Sequence, residues 1–150
     1  MKTIVALIDF SDVAFKVLLQ AHALAKAFQS QVVILHVLEP EPMVVGMGMT
    51  PTILREPSSE ELKVDQERLN ELRESMANAG VQVTAEQIQG PTVDKILTET
   101  DRLGADLLIM GTHGHGALYN LFVGSVTDAV LKRTKCPVLV VPDDYKKPAA

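Results

Sequence analysis

The spacing of apolar residues along the chain alternates between the period of a strand and the period of a helix. Continuous apolar runs predict five strands, at 3–9, 31–38, 81–88 (with weaker alternation), 105–111 and 138–141. Apolar residues at helical spacing predict four helices, at about 13–28, from Ser58 up to Gly80, at about 93–103 and at 125–134. Strands and helices therefore alternate along the whole chain.

Short local patterns mark where two of these helices begin and end. Ser11 or Asp12 is expected to be the N-cap of the first helix, because both residue types accept hydrogen bonds from free helix amides. Ser58 and Glu61 have the spacing of a capping box at the start of the second helix. Gly80 is expected to end that helix, since glycine readily adopts the conformation that follows a helix.

Strands that are buried on both faces and joined by helices predict an α/β fold. We expect a five-stranded parallel sheet with right-handed crossovers, helices on both faces and a single domain over residues 1–150. In the Rossmann-like strand order 3-2-1-4-5, strands 1 and 4 are neighbours, and the winding direction reverses between Asp9 and Gly111. Ligands of such sheets bind at this reversal, at the carboxyl ends of the strands.

One long interruption of the pattern lies at 39–57. It contains four of the eight prolines, three of the six methionines, Gly46 and Gly48, and it is expected to be a flexible loop. Methionine and glycine give an adaptable apolar surface, so one interpretation is a lid over a bound base. A surface loop without that role is the alternative.

The composition narrows the class of protein. With 47% hydrophobic and 22% charged residues and a formal net charge of −5, the chain lacks the basic surface of a general nucleic-acid binder. It has no apolar run of membrane-spanning length, and its start lacks a signal-peptide pattern, so we expect a cytoplasmic protein without membrane insertion. Cys136 is the only cysteine, and a half-buried structural thiol is expected, although neighbouring basic residues could also lower its pKa.

The most specific pattern joins the fourth strand to the fourth helix. The strand ends at Gly111, glycines recur at Gly114 and Gly124, and Ser125 opens the helix. Glycines let the main chain approach a ligand closely, and a helix N-terminus presents free N–H groups at its positive end. The pattern therefore favours phosphate binding, although each glycine alone is compatible with a turn and Ser125 with a helix cap.

This glycine pattern also resembles a family signature. Gly-Thr-His-Gly, nine residues, then Gly-Ser-Val-Thr is similar to the phosphate-binding signature of the ATP-binding branch of the universal stress protein family. The segments TIVALIDFS near the start and KCPVLVVP near the end agree, so the resemblance covers nearly the whole chain. It implies an adenine nucleotide alpha hydrolase-like fold, bound ATP and a nucleotide-dependent role in stress response. A bound polyphosphate makes Mg²⁺ or Mn²⁺, bridging its oxygens, a candidate companion.

The resemblance assigns roles to individual residues. Asp9 matches an acidic residue that contacts the nucleoside, with capping of the next helix as its alternative role. Val37 matches a position whose backbone contacts adenine, while Val126 and Thr127 match positions that contact the terminal phosphate through N–H or hydroxyl groups. The predicted binding set is Ile8, Asp9, Phe10, Val37, Met110, Gly111, His113, Gly114, His115, Gly124, Ser125, Val126 and Thr127, with Ile8 and Phe10 as walls for the base.

The four histidines do not predict a metal site. His113 and His115 lack the spacing of a helical zinc pair, and no cysteine or acidic residue near them in sequence completes a ligand set. We expect them to line the phosphate pocket and to add positive charge below about pH 6.5. His36 is expected to be an interior histidine with satisfied hydrogen bonds, and His22 to lie on a helix face.

Several catalytic signatures are absent from the sequence: the P-loop GxxxxGK[ST], a GxGxxG that opens the first helix, and the GxSxG nucleophile elbow. Without a lysine clamp on the phosphates, fast phosphoryl transfer is not expected. Regulation through ATP binding is therefore predicted, and the regulated protein is not indicated. The alternatives are a slow ATPase or autophosphorylating enzyme, and a ligand-free dimeric partner-binding protein.

The last predicted strand ends the sheet with apolar residues. An uncovered apolar edge promotes association, and pairing with a second copy about a two-fold axis would satisfy it. The resemblance likewise implies a homodimer through Val138–Val141. Coverage of the edge by the tail 143–150 is the alternative.

Overall fold

Eleven helices and strands follow one another in the part of the chain that the computed structural model describes, residues 1–44, 52–112 and 124–144. In chain order they are β1 (Thr3–Ile8), α1 (Asp12–Phe28), β2 (Gln31–Leu38), β3 (Glu41–Val44), β4 (Thr52–Arg55), α2 (Ser59–Asn78), β5 (Val83–Gln89), α3 (Thr92–Arg102), β6 (Leu107–Gly111), α4 (Ser125–Arg133) and β7 (Val138–Val141). Every predicted strand and helix is present, with ends within two residues of the prediction.

The main sheet has the strand order β5-β2-β1-β6-β7, and all neighbouring strands in it are parallel. Counting only the strands of this sheet, the order is 3-2-1-4-5, which confirms the predicted α/β topology. β1 is central, with Ile8 opposite His36 of β2 and Ala6 opposite Ile109 of β6. β7 lies at one edge of the sheet, as predicted, and β5 at the other.

The segment 39–57 contains more structure than the loop predicted for it. β3 and β4 pair antiparallel, with Glu41 opposite Arg55, so a hairpin follows the carboxyl end of β2. Residues 45–51, including Gly46 and Gly48, lie outside the described residues. Proline-rich sequence argues against a central strand, but a separate two-stranded ribbon tolerates proline, which is why the pattern concealed these strands. The lid role stays a prediction.

Two hydrophobic clusters hold the helices against the two faces of the sheet. Successive residues of β1 face opposite ways, so Ile4 joins the cluster under α1 and α2, and Val5 joins the one under α3 and α4. Leu69 of α2, Ile96 of α3 and Val130 of α4 are inaccessible to solvent. The sheet is therefore covered on both faces, as the continuous apolar strands predict. No helix within the described ranges combines the length and apolar character that crossing a membrane requires.

Both predicted end signals of α2 are confirmed. The Ser58 hydroxyl accepts a hydrogen bond from the Glu61 N–H at 3.2 Å, and the Glu61 carboxylate accepts one from the Ser58 N–H at 2.7 Å. Gly80 follows the last helical residue closely and has a φ of +79°, a conformation that favours glycine. The capping box thus fixes where the chain enters α2 after the hairpin.

Arg55 connects the hairpin to the start of α2. Its guanidinium donates to both carboxylate oxygens of Glu61, at 2.9 and 3.0 Å, and to Glu41 at 3.0 Å. Hydrogen bonds from Arg55, followed by those from Ser58, lower the pKa of Glu61 to about 2. Bonds to Glu61 and then Glu41 raise the pKa of Arg55. The hairpin is therefore held to α2 at its base by a charged, hydrogen-bonded contact.

Candidate functional site

The carboxyl ends of β1 and β6 lie side by side in the middle of the sheet. Their register includes Ala6 opposite Ile109, so Asp9 and Thr112 each come three residues later along neighbouring strands. From β1 the chain continues into α1 on one face, and after β6 it reaches α4 on the other face. This divergence of the connections is where parallel sheets of this kind bind ligands.

Hydrogen bonds fix both ends of the glycine-rich segment. The Gly124 N–H donates to the Thr112 carbonyl at 2.6 Å, and the Thr112 N–H donates to the Val141 carbonyl at 2.9 Å. In the first turn of α4, the Thr127 hydroxyl donates to the Gly111 carbonyl at 2.9 Å. Because these bonds connect β6, β7 and α4, the start of α4 is held against the carboxyl edge of the sheet.

No side chain of the described residues caps the first amides of α4. Its N-cap is Gly124, which has no side chain to accept a hydrogen bond. The Asp128 N–H donates to the Gly124 carbonyl at 2.9 Å, so the amides of Ser125, Val126 and Thr127 precede the first full helical hydrogen bond. These amides lie at the positive end of the helix dipole, where an anion is stabilised. The start of α4 can therefore bind a phosphate group.

The middle of the glycine pattern lies in 113–123, outside the described residues. His113, Gly114 and His115 belong to this segment, so their contacts with phosphate stay predictions. The structure places the predicted residues on either side of it, Gly111 and Gly124, at the same edge of the sheet.

Three other predicted residues have side chains in the core. Ile8 is 3% exposed and Met110 is 2% exposed, and Val37 packs against the cluster under α3 and α4. The Ile8 side chain, predicted as a wall for the base, is enclosed under α1 and α2 instead of lining the crevice. Contacts from these three residues to a ligand would run through the main chain, which is the role predicted for Val37.

Asp9 shapes the turn between β1 and α1. Its Oδ1 accepts hydrogen bonds from the Ser11 N–H at 3.0 Å and from the Ser11 hydroxyl at 2.5 Å. Ser11 is the N-cap of α1, as one of the two predicted candidates, but its side chain makes no capping hydrogen bond to the helix. Asp9 therefore has a local structural role, and its contact with a nucleoside stays a prediction.

Phe10, the other residue predicted as a wall for the base, is contacted on its ring by two side chains. The His36 ring centroid is 4.6 Å from that of Phe10, and the Arg68 guanidinium carbon is 4.9 Å from the Phe10 centroid. His36 is 7% exposed, which confirms that it is an interior histidine, but the expectation that its hydrogen bonds are satisfied holds only for Nδ1, since Nε2 has no hydrogen-bond partner among the described residues. Nothing in the sequence pattern marks Arg68, or Asp65 next to His36, because charged residues on an exposed helix are usual.

A cleft of about 460 Å³ opens beside the carboxyl end of β2. Its walls include Leu38 at the end of β2 and Glu39 just after it, Arg55 from the hairpin, and Glu60 and Asp65 from α2. The volume is within the range of small-molecule sites, roughly 300–1,000 Å³. Carboxylates outnumber basic groups on the walls, so the cleft disfavours phosphate. The start of α4, in contrast, favours phosphate.

Two other kinds of chemistry find little support among the described residues. Burial raises the pKa of the Cys136 thiol, and its Sγ donates to the Ala105 carbonyl at 3.3 Å. A neutral, half-buried thiol is a poor nucleophile, so the structural role expected for it agrees with the geometry. Within the described ranges, no group of three histidine, cysteine or acidic residues has the arrangement of a metal site.

Comparison with known proteins identifies one family. The sequence model described as "Universal stress protein family" matches residues 1–142. Universal stress protein MJ0531 of Methanocaldococcus jannaschii is 34% identical over 148 residues, which cover 98% of this chain and 83% of that protein. A universal stress protein of Thermus aquaticus is 38% identical over 143 residues, which cover 93% of this chain and 98% of that protein. The solved structure of the universal stress protein from Archaeoglobus fulgidus in complex with dAMP has the same fold, with a TM-score of 0.68, 22% identity, and coverage of 93% of this chain and 96% of that one.

Proposed function

The chain belongs to the universal stress protein family, and from this premise we propose that it binds ATP where β1 and β6 end and acts as a nucleotide-dependent regulator of the stress response. The phosphates contact the first turn of α4, and the base points towards β2. Binding rather than turnover is the biochemical act, since the sequence has no P-loop lysine.

The observation that carries the proposal is the first turn of α4 at the centre of the sheet edge, whose amides have no side-chain cap among the described residues. The amides of Ser125, Val126 and Thr127 precede the first full helical hydrogen bond, and bonds from Thr127 and Gly124 hold the helix start to the end of β6. Hydrogen bonds to a charged acceptor contribute about 1.5–3 kcal/mol each before the losses of association are counted. Because the protein has a net charge of −5, such local donors must supply the attraction for a polyphosphate.

The nucleoside half of the ligand lies at the ends of β1 and β2, where hydrogen-bonding groups suit a ribose and a base. The Asp9 carboxylate accepts hydrogen bonds from hydroxyl or amino groups, and the main chain at Val37 offers a donor and an acceptor to the edge of a base. A base at β2 adjoins the cleft of about 460 Å³. The Archaeoglobus fulgidus protein binds dAMP within the same fold, which supports an adenine nucleotide for this chain.

The proposed regulator is a cytoplasmic homodimer. β7 is an edge strand, and pairing of Val138–Val141 with the same strand of a second copy would complete its hydrogen bonds. Bound nucleotide contacts the chain between Gly111 and Ser125, next to β7, and so changes the surface that a regulated protein contacts. Mg²⁺ or Mn²⁺ would neutralise part of the phosphate charge in this complex.

A carboxylate at the start of α4 tests the phosphate site. In Ser125→Asp, the new charge interacts favourably with the helix dipole, by about 0.3–1 kcal/mol, but repels phosphate. The melting temperature should therefore stay level or rise while ATP affinity falls at least tenfold. Ser59→Asp is the matched control, because Ser59 is also an exposed first residue of a helix, α2, away from the proposed phosphates. It should leave ATP affinity unchanged.

Calorimetry on nucleotide-free protein provides the measurement, with ATP, dAMP and GTP as ligands. Absence of heat with millimolar ATP in the unmodified protein would overturn the proposal, as would equal ATP affinity in Ser125→Asp and Ser59→Asp. Release of phosphate from ATP at a rate that Ser125→Asp abolishes would instead make the protein an ATPase that uses the same site.

A further inference from the structure

We infer that His36 is a positioning residue of the nucleotide site, which fixes the turn carrying Asp9 while two side chains of α2 hold its ring in place. The inference rests on the proposed function, because the position of Asp9 affects binding only if Asp9 contacts the ligand. The geometry itself does not depend on a ligand.

The main contact is a hydrogen bond from the buried imidazole to the end of β1. His36 Nδ1 lies 3.0 Å from the Ile8 carbonyl oxygen, and His36 is 7% exposed, so water does not compete for this bond. A carbonyl oxygen only accepts, so Nδ1 carries the hydrogen and donates. Ile8 is the last residue of β1 and Asp9 follows it. The bond therefore holds the main chain immediately before the Asp9 carboxylate.

His36 is part of a closed ring of four contacting side chains, Phe10, His36, Asp65 and Arg68, which we name the His36 cluster. The ring centroids of His36 and Phe10 are 4.6 Å apart, and the Arg68 guanidinium carbon is 4.9 Å from the Phe10 centroid. Arg68 Nη1 is 3.7 Å from Asp65 Oδ1, and Asp65 Oδ2 is 3.4 Å from His36 Nε2. The cluster joins α2 to the ends of β1 and β2.

The backbone at Phe10 explains why this turn needs support. Phe10 has a φ of +60°, in the left-handed region that side chains other than glycine disfavour. Ring contacts with His36 and Arg68 keep the side chain on the α2 side of the turn. With Phe10 in this position, the turn brings the Ser11 N–H to Asp9 Oδ1, at 3.0 Å. The cluster thus stabilises the strained turn on which the orientation of Asp9 depends.

Asp65 orients the second nitrogen of the ring. Nδ1 donates to Ile8, and Nε2 faces the Asp65 carboxylate at 3.4 Å, a contact that is an ion pair when the ring carries both hydrogens. Within the described residues Nε2 has no hydrogen-bond partner, so the contact with Asp65 is electrostatic, within ion-pair distance but without hydrogen-bond geometry. An apolar residue at position 36 could fill the same volume, but it would offer neither the donor to Ile8 nor a polar group that faces Asp65.

Two variants separate the donor from the volume of the side chain. In His36→Asn, the amide nitrogen is bonded to Cγ, as Nδ1 is, so the donor towards Ile8 remains. In His36→Leu, the packing volume remains and the donor is lost. ATP affinity measured by calorimetry is expected to stay within about threefold of the unmodified protein in His36→Asn and to fall about tenfold in His36→Leu. The corresponding changes at His22 on α1, His22→Asn and His22→Leu, are the controls and should not alter it.

Two further measurements do not need a nucleotide. Hydrogen exchange of the Ser11 amide should be about tenfold faster in His36→Leu than in the unmodified protein, and near normal in His36→Asn and in both His22 controls. Nitrogen-15 NMR of the His36 ring should show a protonated Nδ1. Asp65→Ala should weaken ATP binding in the same direction as His36→Leu, whereas Asp65→Asn should not, because its amide group can donate to Nε2 or accept from it.

Equal ATP affinity and equal Ser11 exchange in His36→Leu and the unmodified protein would overturn the inference. A ring protonated at Nε2 alone would overturn it too, as would a loss in His36→Asn that equals or exceeds the loss in His36→Leu, because the retained donor would then fail to rescue binding. If the unmodified protein binds no nucleotide, the proposed function fails. Faster Ser11 exchange in His36→Leu, rescued in His36→Asn, would still support the positioning of the turn.

Discussion

Replacement of Thr127 by valine tests how firmly the start of α4 is fixed to the sheet. Thr127 is 4% exposed, and its hydroxyl donates to the Gly111 carbonyl at 2.9 Å. Valine has nearly the same shape as threonine, so Thr127→Val removes this hydrogen bond and changes little else. The contact it breaks joins the first turn of α4, where phosphate is proposed to bind, to the carboxyl end of β6.

The expected loss follows from the burial of the bond. A neutral intramolecular hydrogen bond contributes about 1 kcal/mol to stability, and a buried group left without a partner costs about 1–3 kcal/mol. For a chain of 150 residues, the entropy of unfolding is about 0.3 kcal/mol per degree. The melting temperature of Thr127→Val should therefore fall by roughly 3 °C, and by up to about 10 °C if the Gly111 carbonyl finds no other donor.

Thr100→Val is the matched control for this experiment. Thr100 is 2% exposed, and its hydroxyl donates at 2.6 Å to the Ile96 carbonyl of the same helix, a carbonyl that also serves the helical ladder. Because that carbonyl keeps its helical bond, no buried acceptor is left unpaired, and the loss should stay at or below about 1 kcal/mol, less than in Thr127→Val. Thermal unfolding and ATP calorimetry of both variants provide the assay. Equal melting temperatures, or an ATP affinity of Thr127→Val that matches Thr100→Val, would refute the argument that this bond fixes the phosphate site.

Three more predictions follow from the contacts and burial. Because the pKa of Glu61 is lowered to about 2, its charge stabilises the fold above about pH 4.5, and this contribution is lost as the pH falls towards 2. The variant Glu61→Gln should therefore have a lower melting temperature than the unmodified protein at pH 7. This difference in melting temperature should close when both are melted in acid. Val140→Lys on the edge strand β7 should yield a monomer in light scattering, whereas Thr84→Lys on the opposite edge should not; a dimer in both variants contradicts the proposed interface. Ile96→Ala removes a fully buried side chain and should lower the free energy of unfolding by about 2–5 kcal/mol in denaturant experiments. The control Leu131→Ala, at a half-exposed residue, should lower it by less than about 1 kcal/mol. Similar losses in both variants would show that the core is not where the two hydrophobic clusters place it.

The sheet and its strand order were predictable because their signals are local or follow from one topological rule. Continuous apolar strands require cover on both faces, and the parallel arrangement then determines which strand ends meet. The capping box of Ser58 and Glu61 was predictable for a similar reason, since its partners are three residues apart. The meeting of Asp9 and Gly111 at one edge followed from the same topology.

What the sequence pattern did not indicate depends on contacts between distant residues. His36 and Asp65 are on different elements, and only the folded chain brings them to 3.4 Å. The positive φ of Phe10 has no signature in a residue that rarely adopts it. The hairpin of β3 and β4 was missed because its prolines argue for a loop, while Arg55 secures it to α2 through two carboxylates.

The hydrogen bond between Gly124 and Thr112 has a consequence for engineering. It joins the two described residues that flank 113–123, so the chain is tied together where that stretch begins and ends. Doubling the length of a flexible insert costs only about 0.6 kcal/mol in closure entropy. A foreign peptide inserted between Thr112 and Gly124 should therefore leave this bond, and with it the junction of β6 and α4, in place.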